Sequence, residues 1–184
     1  MVSTDDMEIA KIAMEAGAQV PFMRSSESAG DYASTDDVLM EVLQAYRAQG
    51  REFDTFCCLY PTAPFITEEK LKRASRLLEK ADSVMPVVRF SFPPQRCMVM
   101  DEAGELCMKW PEYAKARSQD LEAYYHDCGQ FYFCRTAPFL EYKTTDLPHM
   151  AAMIISELEV QDIDNFDDWE IAELKYQKMI NKRI

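Results

Sequence analysis

Apolar positions recur along this chain with two alternating periods, and the alternation predicts its elements in order. Ile9, Ile12, Ala13 and Ala16 repeat at helical spacing, with Gly17 where a helix end takes a left-handed residue. A short extended piece over 19–22 precedes a Ser-rich polar loop over 24–34. Thr35 is placed to cap a second helix that carries Val38, Leu39, Val42, Leu43 and Tyr46 on one face and ends at Gly50. The apolar run over 53–60 predicts a buried strand that delivers Tyr60-Pro61-Thr62-Ala63-Pro64-Phe65 at its C-terminal end. Thr67 caps a third helix through Ala81, with Leu71, Ala74, Leu77 and Leu78 facing inward. Val84, Val87 and Val88 mark a strand over 83–90, which Pro86 weakens. This succession predicts an α/β fold with a parallel sheet and crossover helices.

After Pro93-Pro94 the rhythm changes. Segments 96–100 and 105–109 read as a β-hairpin joined across Asp101-Glu102-Ala103-Gly104. Segment 110–125 is polar and poorly periodic. Segment 129–134 reads as a strand with an aromatic face, and 150–155 as the last core strand. A final helix runs from Phe166 to about Asn181. Asp167, Asp168 and Glu170 lie near its start and Lys178, Lys182 and Arg183 near its end, the order its dipole prefers.

Composition narrows the class. The chain has 184 residues, 48% hydrophobic and 28% charged, which suits one globular domain with a real core. A formal charge of −12 argues against a nucleic-acid partner, which needs a basic face. No apolar run approaches the ~18 residues of a membrane span, no leader opens the chain, and no Lys/Arg cluster suits an anionic bilayer. The six cysteines form no C-x-x-C pair and only two histidines are present, so they read as reduced thiols of a cytoplasmic protein rather than a zinc site. The twelve methionines read mostly as core filler.

The most suggestive chemistry lies in Val160-Gln161-Asp162-Ile163-Asp164. In extended form, period two puts both carboxylates on one side and turns Ile163 toward the core. A hard cation such as Mg²⁺ relieves the repulsion of two such carboxylates and takes them together with substrate phosphates. The same residues also suit the approach to a helix start at Asn165-Phe166-Asp167-Asp168-Trp169.

Several of these segments together resemble the CMP-sialic acid synthetase family of cytidylyltransferases. Val2-Ser3-Thr4-Asp5-Asp6-Met7-Glu8-Ile9-Ala10 resembles its strand-to-helix motif, and Arg24 followed by Asp31-Tyr32-Ala33-Ser34-Thr35-Asp36 its loop over the nucleotide. Tyr60 to Phe65 resembles its Pro-Thr-Ser-Pro turn, and 160–164 its metal-binding Asp-x-Asp. Pro93-Pro94-Gln95-Arg96, Trp110-Pro111-Glu112-Tyr113, Arg117-Ser118-Gln119-Asp120-Leu121 and His126-Asp127-Cys128-Gly129-Gln130-Phe131-Tyr132 are similar to the branch acting on pseudaminic acid. The resemblance spans essentially the whole chain. It departs at the start: the family opens with a strand and a basic Arg-x-Gly-Ser-Lys-Arg loop around the triphosphate, which this sequence lacks. The expectation is a fragment, about 30 or more residues short.

The resemblance implies a Rossmann-like α/β fold of the nucleotide-diphospho-sugar transferase type. Its sheet would be mixed but mostly parallel, with flanking helices, forming one domain over 1–184 with a hairpin and dimerisation arm over 96–125. It implies attack of a nonulosonic acid's anomeric hydroxyl on the α-phosphate of CTP, giving a CMP-sugar for surface glycan or flagellin glycosylation. Asp162 and Asp164 would hold Mg²⁺ and carry the catalytic role. Arg24, Ser34 and Tyr60 are the nucleotide-side candidates; Arg24 and Tyr60 also have structural readings, as a solvated loop arginine and a half-buried aromatic. Thr35 reads better as a cap than as a nucleotide contact. A sugar acid needs a cation, amide donors and flat surfaces, and Arg117, Gln119, Asp127, Gln130 and Tyr132 offer that set. Gln130 and Tyr132 would share one strand face toward a cleft, with Phe131 and Phe133 packed behind; in the competing reading Tyr132 is core and Arg117 pairs with Asp120. His126 has no catalytic role in either. A homodimer is implied by the arm. The alternatives are a synthetase for N-acetylneuraminate or legionaminate, or an inactive remnant that only binds or dimerises.

Overall fold

The computed structural model describes residues 1–181, so Lys182 and Arg183 of the expected basic helix end lie outside the described residues. In chain order the helices are α1 (Met7–Glu15), α2 (Thr35–Ala48), α3 (Glu68–Leu77), α4 (Thr136–Tyr142) and α5 (Phe166–Asn181). The strands are β1 (Thr55–Leu59), β2 (Ser83–Arg89), β3 (Met98–Met100), β4 (Leu106–Met108), β5 (Tyr125–Asp127), β6 (Phe131–Arg135) and β7 (Met150–Ile154).

One sheet organises the chain. β6 lies between β1 and β2 and is antiparallel to both, with Cys58 opposite Tyr132 and Ser83 opposite Cys134. β5 extends the same line, Asp127 opposite Val87. Only β7 pairs in parallel, Val84 opposite Ala151 on the far edge of β2. The expected mostly parallel sheet is therefore corrected to a mixed one with mainly antiparallel neighbours. The β1–α3–β2 crossover does leave β1 and β2 pointing the same way. The returning segment 125–135 then inserts between them, and periodicity carries no information about which strand a segment pairs with or in which direction. Pro86 sits in the middle of this sheet. It faces the break between β5 and β6, where Cys128 N–H donates to the Pro86 carbonyl at 3.1 Å, so its missing donor falls where the ladder is interrupted.

Both faces of the sheet are covered. On one, Ala74 and Leu78 pack against Val84, Val88, Phe131 and Met153. On the other, Leu39 and Leu43 of α2 and Phe139 of α4 pack against Phe56 and Cys58. Phe131 and Phe139 are each 0% exposed, a burial worth up to about 3 kcal/mol apiece. α4 is absent from the sequence expectations, and its Phe139 closes this second face.

Two local expectations are corrected. Ser34, not Thr35, caps α2: its hydroxyl accepts from Asp37 N–H at 3.2 Å while the Asp37 carboxylate accepts the Ser34 N–H at 2.9 Å. This pair also holds the Asp37 carboxyl below the usual carboxylate range. On α1 the apolar stripe forms but is not inside: Ile9 and Ile12 are 51% and 59% exposed, and Ala10 alone is buried. No described element covers that face, so helical periodicity there records an amphipathic surface without its partner.

The N-terminal segment is held by Val2 N–H to the Gln19 carbonyl at 2.8 Å and Arg24 N–H to the Thr4 carbonyl at 2.9 Å. The hairpin β3–β4 forms as expected, with Gly104 at φ +83 in its turn.

Candidate active site

Segment 160–164 leaves a short 3-10 turn (Glu157–Glu159), not a strand, and enters α5 through Asn165. Asn165 Oδ1 caps the helix by accepting Asp168 N–H at 3.1 Å. Capping thus falls to Asn165, and the Asp162 and Asp164 carboxylates stay exposed with no hydrogen-bond donor among the described residues. The loop beneath them is pinned. Lys175 of α5 reaches back so that Nζ donates to the Val160 carbonyl at 2.6 Å and to Gln161 Oε1 at 3.0 Å. Gln161 Nε2 donates to Asp168 Oδ1 at 3.2 Å, and Asp164 N–H to Asp168 Oδ2 at 3.2 Å. Sequence reasoning missed Lys175: it lies 15 residues from Val160, and only the docking of α5 brings its ammonium there.

Ile163, between the two aspartates, lines an open groove of about 890 Å³ shared with Pro61, Pro64, Trp169 and Tyr176. The Tyr60–Phe65 turn and the Asp162–Asp164 loop therefore meet at one end of the sheet. Among the described residues no group of three or more Asp, Glu, His or Cys is arranged to enclose an ion. Two exposed carboxylates of this kind are the ligand type a hard divalent cation takes together with water and phosphate oxygens.

A second cluster stands beside Asp162. Asp127, exposed at the end of β5, accepts Gly129 N–H on Oδ1 at 2.9 Å and the Tyr132 hydroxyl on Oδ2. Gly129 has φ +59, and a Cβ built there would lie 3.7 Å from Asp162 Oδ1, so Asp127 and Asp162 flank the same glycine. Tyr132 meets Tyr60 edge to face, ring centroids 5.6 Å apart. The Tyr60 hydroxyl shares a 2.6 Å hydrogen bond with Thr35 Oγ1, which is free because Ser34 does the capping. Burial first, then the hydrogen bond to Asp127, push the Tyr132 phenol far above its ordinary range.

The remaining expected residues are placed differently. Gln130 does not face a cleft: it is 1% exposed, and its Nε2 donates to the Glu159 carbonyl at 2.7 Å. Tyr132 is 8% exposed, so it too is inside rather than open to a ligand. The physical reason is shared: helices cover both faces of β6, so alternation along it separates two interiors, not inside from outside. Arg117 sits on the arm, paired with Asp120 at 2.6 Å, and Gln119 beside it is exposed; no hydrogen bond among the described residues joins either to Asp127. Arg24 turns to the N-terminal segment, its Nε donating to Ser3 Oγ at 3.1 Å and Nη2 to the Ser3 carbonyl at 2.6 Å. The cavity under its loop is bordered by Glu27, Asp37 and Glu41, a poor lining for a polyphosphate.

Comparison with known proteins supplies the family. The family model described as cytidylyltransferase matches residues 1–180. A pseudaminic acid cytidylyltransferase of Campylobacter jejuni is 33% identical over 179 residues, covering 96% of this chain and 77% of that protein. A CMP-N,N'-diacetyllegionaminic acid synthase of Legionella pneumophila is 30% identical over 181 residues, covering 94% and 75%. Among solved structures, a CMP:2-keto-3-deoxy-manno-octonic acid synthetase complexed with CTP superposes with a TM-score of 0.60 at 14% identity, covering 100% of this chain and 80% of that one. That likeness concerns the fold, and the sequence match carries the classification: this chain belongs to the cytidylyltransferase family of nucleotidyltransferase enzymes.

Proposed function

We propose that this chain transfers the cytidylyl group of CTP to pseudaminic acid, releasing diphosphate and forming CMP-pseudaminic acid. The observation that carries this reading is 33% identity, over 96% of the chain, to a protein of that name. Asp162 and Asp164 would hold Mg²⁺, and their exposure, the lack of a hydrogen-bond donor to either carboxylate among the described residues and the pinned backbone support the assignment. Bound there, the cation would neutralise phosphate charge as the leaving group departs. The chain's own contribution is positioning. Lys175, Gln161 and Asp168 fix the loop that presents the carboxylates, and Pro61, Pro64, Trp169 and Tyr176 wall the adjoining groove. Arg117 and Gln119 would reach the sugar from the arm, Arg117 exchanging Asp120 for the sugar's carboxylate. Arg24, Ser34 and Tyr60 shape the loop and the β1 end around the nucleotide rather than offering free donors.

A cytoplasmic location is supported by six free thiols. A homodimer through the 96–125 arm is supported by exposed Met98, Val99, Met100 and Leu106 on β3 and β4.

The test is CMP-sugar formation from CTP, Mg²⁺ and pseudaminic acid, with N-acetylneuraminate and legionaminate as comparators. Asp162→Ala and Asp164→Ala should each lower kcat at least about a hundredfold. Wild-type turnover in both variants removes the metal assignment; product from a comparator alone reassigns the sugar.

A further inference from the structure

Lys70 stands where neither the helix dipole nor burial favours a lysine. It lies in the first turn of α3, beside Glu68 and Glu69, at the end where the dipole disfavours a cation. Its side chain is only 13% exposed, although lysine rarely leaves water unless its charge is paired. Its Nζ donates to the Phe65 carbonyl at 2.8 Å and meets Glu159 Oε2 at 3.1 Å. An ion pair withdrawn from water adds little net stability, because desolvation offsets the attraction. Position is what this contact secures. Phe65 ends the turn that begins at Tyr60, and Glu159 stands directly before the 160–164 loop.

A second bridge joins the same two segments. The Gln130 carbonyl accepts the Tyr60 N–H at 2.9 Å, and Gln130 Nε2 donates to the Glu159 carbonyl at 2.7 Å. Here too a local penalty is visible: Gln130 Oε1 is buried with no hydrogen-bond partner among the described residues. Two residues that break local rules thus converge on Glu159, the pattern expected where geometry rather than stability is specified. The groove depends on both bridged segments, since Pro61 and Pro64 come from the turn and Ile163 from the loop.

We infer that Lys70 is a positioning residue that sets the separation between the Tyr60–Phe65 turn and the Asp162–Asp164 loop, with Glu159 as its partner. The inference rests on the proposed cytidylyltransferase reading, in which these two segments wall the site. In this role Lys70 contacts no substrate and acts through the Phe65 carbonyl and the Glu159 carboxylate. Lys175 ties the loop to α5, and Lys70 ties loop and turn together at the start of α3. Without Lys70 the loop keeps its anchor on α5 but loses its charged link to the turn.

The test pairs amide hydrogen exchange on the full chain with steady-state CMP-sugar formation from CTP, Mg²⁺ and pseudaminic acid. Lys70→Met combined with Glu159→Gln removes both charges, so no unpaired ion is left in the interior to unfold the chain. In that double variant, exchange over 60–66 and over 157–164 should rise together about tenfold, while β2 and β6 stay within about twofold. Its kcat should fall about tenfold with KM for CTP within about threefold, because misplaced groups weaken transition-state contacts more than ground-state binding. Glu159→Gln alone, which leaves the lysine its bond to Phe65, should raise exchange in both segments by about threefold. Exchange that is unchanged, that rises in one segment only, or that rises equally across the sheet overturns the inference. So does an unchanged kcat in a variant whose exchange has risen. A wild-type chain that forms no CMP-sugar removes the functional reading, and the exchange result then decides the bridge by itself.

Discussion

Gly129 occupies the left-handed region between two carboxylates, and its substitution separates backbone from side-chain effects. A Cβ there would meet Asp162 Oδ1 at an ordinary 3.7 Å, so Gly129→Ala should cost mainly the backbone penalty, about 1–2 kcal/mol, read as a lower midpoint in urea. The thiols make a second residue-scale prediction. Burial pushes Cys57, Cys128 and Cys134 up to about 12 from an ordinary 9.0, whereas Cys107 is exposed. At pH 8, a thiol reagent should label Cys107 promptly and those three only after unfolding. The same shift sets an alkaline limit. The folded state keeps these protons where the unfolded chain has lost them, so their stabilisation is intact below pH 9 and disappears as pH rises from about 9 to about 12. Chemical unfolding followed at pH 8 and pH 10 should show the loss. At this scale the start of α5 was legible, because Asn and Asp cluster before a helix and Asn165 does accept the Asp168 N–H. The burial of Gln130 was not, and that of Tyr132 stood only as the competing reading, because their alternation suits a one-sided strand as well as a two-sided one.

Elements were easier to find than to orient. α2, α3 and α5 announce themselves by periodicity and caps, and the hairpin by Gly104 between apolar runs. The cap of α2 shows the grain of such readings. Ser34 and Thr35 are equally good cap residues by type, and the capping box with Asp37 decides for Ser34. Ser34→Ala should cost about 1 kcal/mol and lower the melting temperature by a few degrees, while Thr35→Ala should leave the cap intact. The β3–β4 hairpin carries exposed methionines at 98 and 100, 59% and 68% exposed, on a strand pair separate from the main sheet. Met98→Lys with Met100→Lys should shift any dimer to monomer in sedimentation without lowering the monomer's melting temperature; an unchanged oligomeric state would remove the hairpin as the contact.

Across the whole molecule, a net charge of −12 coexists with apolar surface on several sides. Ile9 and Ile12 on α1, Trp169 and Leu174 on α5, and the unpaired edge of β1 among the described residues all face outward. Like-charge repulsion keeps copies apart at low ionic strength, and salt shortens its range to about 8 Å at physiological concentration. Light scattering should therefore rise as salt is added from 10 mM to about 300 mM, opposite to the behaviour of a protein held together by ion pairs.

The amino-acid sequence alone determined α1, α2, α3 and α5, the α/β class and the acidic net charge, because period, caps and charge are properties of neighbours along the chain. Tertiary structure decided that β6 enters between β1 and β2, that Lys175 pins the loop, and that the buried Tyr132 hydroxyl reaches Asp127. Those outcomes depend on residues far apart in the chain meeting across a sheet. Pairing direction, two-sided burial and the sharing of one glycine by two carboxylates have no signature in local spacing.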